Sequence, residues 1–111
     1  MKLTMVGAGY VGLVTGVCFS NTGNDVICLD VDPKKVDAMR RGECPIYEPG
    51  LTEMMRLNID AGRLSFTTDP KQAYRDAEMI FICVGTPTAP HGGADLQYIF
   101  SAADGVADAI L

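Results

Sequence analysis

Apolar residues fall along this chain in short runs separated by longer stretches of mixed character. The runs are Leu3-Thr4-Met5-Val6, Val26-Ile27-Cys28-Leu29, Leu64-Ser65-Phe66-Thr67 and Met79-Ile80-Phe81-Ile82-Cys83-Val84. Runs of four to six, bounded by polar or turn residues, read as strands. Residues 2–6 are nearly continuous in apolar character, which predicts a strand buried on both faces. Residues 79–84 form the most strongly apolar run and read as a central strand.

The stretches between the runs carry helical spacing. Tyr10 to Thr22 places Val11, Val14 and Cys18 on one stripe and Leu13 and Val17 on another, so this helix is packed on several sides. Gly12 and Gly16 lie four apart on one face, where missing side chains let the helix approach the sheet. Gly23 suits its end. Asp32 and Pro33 read as the N-cap and first turn of a second helix, with Val36 and Met39 inward, ending near Gly42. After a loop over 43–48, Pro49 opens a third helix with an apolar face of Leu51, Met54, Met55 and Ile59; its methionines read as core filler. Asp69-Pro70 starts a short fourth helix toward Ala77. A loop over 85–94 leads to Asp95, the N-cap of a final helix carrying Leu96, Ile99, Val106 and Ile110.

Strands alternating with helices imply an α/β fold, a Rossmann-type doubly wound parallel sheet with right-handed crossovers and strand order 3-2-1-4. A complete sheet of this type has about six strands in two halves. The pattern stops at Leu111 inside a helix, so residues 1–111 are expected to be the N-terminal part of such a domain.

The turn after the first strand carries the chemistry. Gly7-Ala8-Gly9-Tyr10-Val11-Gly12 is G-x-G-x-x-G between a strand and a helix, and Asp30 ends the next strand eighteen residues after Gly12. That is the dinucleotide-binding fingerprint in its proper setting. Gly7 permits the tight turn, Gly9 lets backbone approach a pyrophosphate, and Gly12 permits close helix–strand contact. The helix N-terminus supplies N–H donors and the positive end of its dipole. Asp30 is placed to accept from the adenosine ribose hydroxyls, and its charge would repel a 2′-phosphate, favouring NAD over NADP. Lys34 and Lys35 temper that preference; alone, Lys35 reads as a solvated charge. Thr86 leaves the C-terminal end of the fourth strand, beside the point where strand order reverses and ligands bind. It reads equally as a cofactor contact or a turn hydroxyl.

Composition narrows the alternatives. Hydrophobic residues make up 48% of 111, enough for one modest core, and the formal charge is −5, which argues against a nucleic-acid partner. No G-K-[ST] follows the glycines, which excludes a triphosphate P-loop. Cys18, Cys28, Cys44 and Cys83 show no metal-ligand spacing. Three sit in apolar runs and read as small hydrophobes, Cys44 lies in a loop, and together they fit a reducing cytoplasm. No charge occurs between Lys2 and Asp25, but Gly7, Gly9, Gly12 and Gly16 interrupt that stretch and Ser20-Asn21-Thr22 ends it, so no membrane span is expected. His91, between Pro90 and Gly92, has no evident partner and reads as a loop residue. Asp104 and Asp108 read as a solvated helix face. No catalytic pair or metal cluster emerges.

Five segments together carry a resemblance: Gly7-Ala8-Gly9-Tyr10-Val11-Gly12-Leu13, Asp30, Pro45-Ile46-Tyr47-Glu48-Pro49-Gly50-Leu51, Val84-Gly85-Thr86-Pro87 and Ala94-Asp95-Leu96. The chain resembles, over its whole length, the UDP-glucose/GDP-mannose 6-dehydrogenases, and Tyr10 with the Tyr-Glu-Pro-Gly-Leu segment looks most like the UDP-glucose branch. The resemblance implies an NAD-dependent, four-electron oxidation of a nucleotide sugar's C6 alcohol to a carboxylate, using two NAD. It implies that Tyr10, Val11, Asp30, Lys35 and Thr86 contact NAD, and that the catalytic residues, a central helical region and a UDP-binding domain lie beyond residue 111. It also implies a homodimer or larger assembly. Rival readings are a GDP-mannose or UDP-N-acetylhexosamine 6-dehydrogenase, a non-catalytic nucleotide-sensing module, and a methyltransferase, which more often uses G-x-G-x-G.

Overall fold

A computed structural model describes residues 1–85, 89–90, 92–93 and 96–110. The elements run β1 (Lys2–Val6), α1 (Tyr10–Asn21), β2 (Asp25–Leu29), α2 (Pro33–Arg40), α3 (Leu51–Asp60), β3 (Leu64–Thr67), α4 (Pro70–Tyr74), β4 (Met79–Ile82) and α5 (Gln97–Ile110). All three strand pairings are parallel, and the order is β3-β2-β1-β4, as the alternating pattern predicts.

The two-residue period of the strands sorts the core into two layers. Leu3 and Met5 of β1, Val26 and Cys28 of β2, and Leu64 and Phe66 of β3 share one face, packed against Leu13 and Val17 of α1, Val36 and Met39 of α2, and Leu51 and Met55 of α3. Val6 and Leu29 share the other face with Ala73 and Tyr74 of α4, and Val106 of α5 packs against that cluster. Thr4 points to this second face, and its buried hydroxyl donates to the Ala73 carbonyl, tying β1 to α4.

Four details differ from the sequence expectation. In α1 the buried residues are Gly12, Leu13, Gly16, Val17 and Ser20, while Val11 and Cys18 are exposed. A helix with apolar residues all round gives no periodic signal for the buried side; the glycine face decides it, because a Cβ on Gly16 would lie 3.1 Å from both Cys28 Sγ and Met5 Cγ. Cys18 is therefore a surface thiol and not a core hydrophobe. β4 ends at Ile82 and stands at the edge of the sheet, with Met79 and Ile82 partly exposed. α3 begins at Leu51, since Pro49 and Gly50 are used in the turn before it. α4 ends at Tyr74, before Ala77. The Asp32 cap forms as expected, its carboxylate accepting from the Lys34 and Lys35 backbone N–H groups. Asp95 lies outside the described residues.

Leu13 is fully buried where α1 meets the sheet. Leu13→Ala should lower the unfolding free energy by about 2–5 kcal/mol in denaturant titration, with the slope of the transition unchanged.

Candidate functional site

The parallel ladder brings the ends of β1, β2 and β4 together at one edge. Gly7 extends the ladder, donating its N–H to the Leu29 carbonyl at 2.7 Å, and Cys83 donates to the Val6 carbonyl at 2.8 Å. The chain then turns sharply. Gly7 has φ +96°, and a Cβ there would lie 2.7 Å from the Cys83 carbonyl oxygen. A Cβ on Gly12 would lie 1.9 Å from the Gly7 carbonyl oxygen, so the first turn of α1 rests directly on the loop. Gly9 is the opposite case: nothing lies within 4 Å of a Cβ built there. Two glycines are thus filled from inside by the protein, and the middle one faces open space.

Gly9 is also the N-cap of α1 and no side chain caps this helix. The first intrahelical bond is donated by Leu13 to the Gly9 carbonyl at 2.9 Å. The N–H groups of the preceding turn have no intrahelical acceptor, as at any helix start, and the dipole places partial positive charge there. An uncapped helix end beside an open glycine fits an anionic diphosphate.

Asp30 follows β2, and its backbone N–H donates to the Thr67 carbonyl at 3.1 Å. Its carboxylate is a hub. Oδ2 accepts from the Ala8 N–H at 3.0 Å and lies 3.4 Å from Lys35 Nζ; Oδ1 accepts from the Asp32 N–H at 3.0 Å. The side chain is 13% exposed, leaving one edge accessible. Burial pushes its carboxyl up, but the N–H bonds from Asp32 and Ala8 together with the Lys35 ammonium outweigh it and hold the group below the usual carboxylate range.

The structure thus brings Gly7, Gly9, Gly12, Tyr10, Val11, Asp30 and Lys35 to one edge. Thr86 and His91 lie outside the described residues. Tyr10 and Val11, in the first turn of α1, are 57% and 64% exposed. Asp104 and Asp108 are exposed on α5, as expected of a solvated face. Two contacts escaped the sequence reading: the Ala8–Asp30 bond, and a hydrogen bond from the Tyr10 hydroxyl to Glu48 at 2.9 Å. A backbone donor leaves no compositional signal, but the resemblance had already singled out the segment holding Glu48. Among the described residues no group of acidic, histidine or cysteine side chains is arranged to hold a metal ion. A groove lined by Lys2, Asp25, Arg63, Gln72 and Asp76 lies at the opposite edge of the sheet, remote from the glycine loop.

The model of the UDP-glucose/GDP-mannose dehydrogenase family, NAD binding domain, matches residues 1–111. The chain belongs to that family. It is 50% identical over 108 residues to a UDP-glucose 6-dehydrogenase of Rhizobium meliloti, covering 96% of this chain and 25% of that one. Among solved structures, it superposes on GDP-mannose dehydrogenase of Pseudomonas aeruginosa, a ternary complex, with TM-score 0.96 and 43% identity over 99% of this chain and 25% of that one. A UDP-glucose dehydrogenase of Pyrobaculum islandicum gives TM-score 0.93 and 43% identity over 98% and 25%. The chain spans about a quarter of the length of these relatives. As the NAD-binding domain of the family, it takes NAD as its cofactor.

The Asp30 carboxylate stabilises the fold only while ionised. Because its pKa is lowered on folding, that contribution is complete above about pH 5, shrinks through the unfolded value of about 3.9, and is lost as pH falls through the lower folded value. Asp30→Asn should therefore be less stable than the native chain at pH 7, with the gap closing below pH ~4 in parallel thermal melts. Gly12→Ala, which forces a Cβ onto the Gly7 carbonyl, should cost at least about 1–3 kcal/mol and displace the loop.

Proposed function

We propose that this chain is the NAD-binding part of a UDP-glucose 6-dehydrogenase, an enzyme that oxidises the C6 alcohol of UDP-glucose to the carboxylate of UDP-glucuronate with two NAD. The observation that carries the cofactor half is the Asp30 carboxylate, anchored to the Ala8 N–H beside an open Gly9 and an uncapped helix end. The substrate half rests on the 50% identity to the Rhizobium meliloti enzyme. A GDP-mannose 6-dehydrogenase is the second reading, favoured by the TM-score of 0.96. A UDP-N-acetylhexosamine substrate is a further variant of it.

NAD, when bound, supplies the acceptor for each of the two hydrides that leave the C6 carbon. In this reading the chain's own residues bind and orient. Gly7, Gly9 and Gly12 shape the loop, and the backbone of Tyr10 and Val11 donates to the pyrophosphate. Asp30 accepts from the adenosine ribose hydroxyls, which its Ala8 and Asp32 bonds leave one edge free to do. Lys35 reaches the same ribose while pairing with Asp30, and Thr86 contacts the cofactor from the β4 side. Asp30 also disfavours a 2′-phosphate, because a second anion would meet an ionised carboxylate.

The substrate-binding and covalent chemistry belong, on this reading, to a further portion of the polypeptide, with residues 1–111 as part of a larger domain. The β4 edge supports this: a strand with exposed Met79 and Ile82 and unpaired backbone on one side is a template for another strand. A cytoplasmic enzyme acting on a soluble nucleotide sugar, dimeric or larger, completes the proposal; no helix among the described residues is long and apolar enough to cross a membrane.

Calorimetric titration with NAD, NADP and S-adenosylmethionine tests it. NAD should bind at least about tenfold more tightly than NADP, a difference of about 1.4 kcal/mol, and S-adenosylmethionine should give no heat. A preference for NADP or for S-adenosylmethionine overturns the cofactor assignment. Turnover of UDP-glucose by the 111-residue chain alone would overturn the division of labour.

A further inference from the structure

The segment Tyr47-Glu48-Pro49-Gly50-Leu51 takes no part in the cofactor reading so far, yet one of its side chains reaches the glycine loop. Glu48 to Leu51 forms a tight turn in which the Leu51 N–H donates to the Glu48 carbonyl at 3.1 Å. Gly50 has φ +80° and ψ −10°, the left-handed conformation that a type II turn needs at its third position, and Pro49 fills the second. On one side Leu51 is buried in the core. On the other, Ile46 packs against it, and the Cys44 thiol donates to the Ile46 carbonyl at 3.3 Å. The turn is therefore seated on the core from both flanks, and Glu48 projects from it at a defined place.

The Glu48 carboxylate accepts a hydrogen bond from the Tyr10 hydroxyl at 2.9 Å, across 38 residues of sequence. Tyr10 is the first residue of α1 and follows Gly9 directly. Both partners are exposed, so the fold gains little from the bond. Its consequence is local: it fixes a large side chain at the mouth of the phosphate cradle. The Tyr10 phenol is accordingly pushed up, first by the hydrogen bond to Glu48 and then by its charge.

We propose that Glu48 is a positioning residue for the cofactor, holding the Tyr10 side chain and the first turn of α1 in the arrangement that receives the pyrophosphate. This rests on the NAD reading above. A side chain ordered beforehand does not have to be ordered on binding, which favours affinity. A carboxylate near a pyrophosphate also repels it, which opposes affinity. The two effects separate by substitution: glutamine removes the charge and keeps an acceptor oxygen, whereas alanine removes both.

NAD dissociation constants of the intact polypeptide, measured by calorimetry, decide the matter. Glu48→Ala and Tyr10→Phe should each weaken NAD binding about three- to tenfold. Glu48→Gln should stay close to the native value, and the Tyr10→Phe/Glu48→Ala double variant should bind no more weakly than the weaker single variant. Thermal midpoints should be unchanged throughout, which separates positioning from a general loss of structure. Unchanged or tighter binding in Glu48→Ala, a Glu48→Gln defect as large as that of alanine, or additive losses in the double variant would each overturn the proposal. Failure of the native protein to bind NAD would instead overturn the cofactor reading, and this proposal with it.

Discussion

Gly12 has no room for a side chain, because the Gly7 carbonyl oxygen lies 1.9 Å from where its Cβ would stand. The site follows from that contact. With α1 pressed onto the loop, its N-terminus opens at Gly9, and one turn later Gly16 brings the helix against Met5 and Cys28 of the sheet. The helix is thus clamped at two points on one glycine face, and the aim of its dipole is set by packing. A single added methyl group at either point would move the N–H donors away from the edge where the strands end.

Electrostatics then acts on a scaffold already fixed by sterics. Asp30 is an acid inside an acidic protein, and its carboxylate is bonded to the loop that leads into the uncapped N-terminus of α1. It remains ionised there because its charge is already engaged by two backbone N–H groups and Lys35. One of those donors is Ala8, between the first two glycines, so the carboxylate at the end of β2 also pins the loop that leads into α1. Removing its charge alters both at once.

Much of this was legible in the sequence because the features concerned are local. Short apolar runs located the strands, the Asp32-Pro33 pair located a helix start, and G-x-G-x-x-G with Asp30 marked the turn and the strand end that the structure brings together. Alternation of strand and helix restricts topology strongly, so order 3-2-1-4 followed without any long-range information. What sequence reading missed depends on contacts. In α1 the glycine pair marks the side that meets the sheet, but apolar residues surround the helix, so nothing in the pattern shows that the stripe with Val11 and Cys18 is exposed. β4 reads as a central strand, since its composition reflects burial that the described sheet does not supply. The Ala8–Asp30 and Tyr10–Glu48 bonds join positions 22 and 38 residues apart. The pattern of either segment alone contains neither.

Among the described residues no fully buried side-chain nitrogen or oxygen lacks a hydrogen-bond partner, so the core carries no unsatisfied polar group waiting for a ligand. The exposed apolar side chains tell a different story: Tyr10, Val11 and Val31 all follow the C-terminal ends of β1 and β2. Val31 follows Asp30 directly and is 93% exposed. On the NAD reading proposed above, a base beyond a ribose held at Asp30 would cover these side chains. The edge itself combines an uncapped helix N-terminus, an ionised acid and apolar surface.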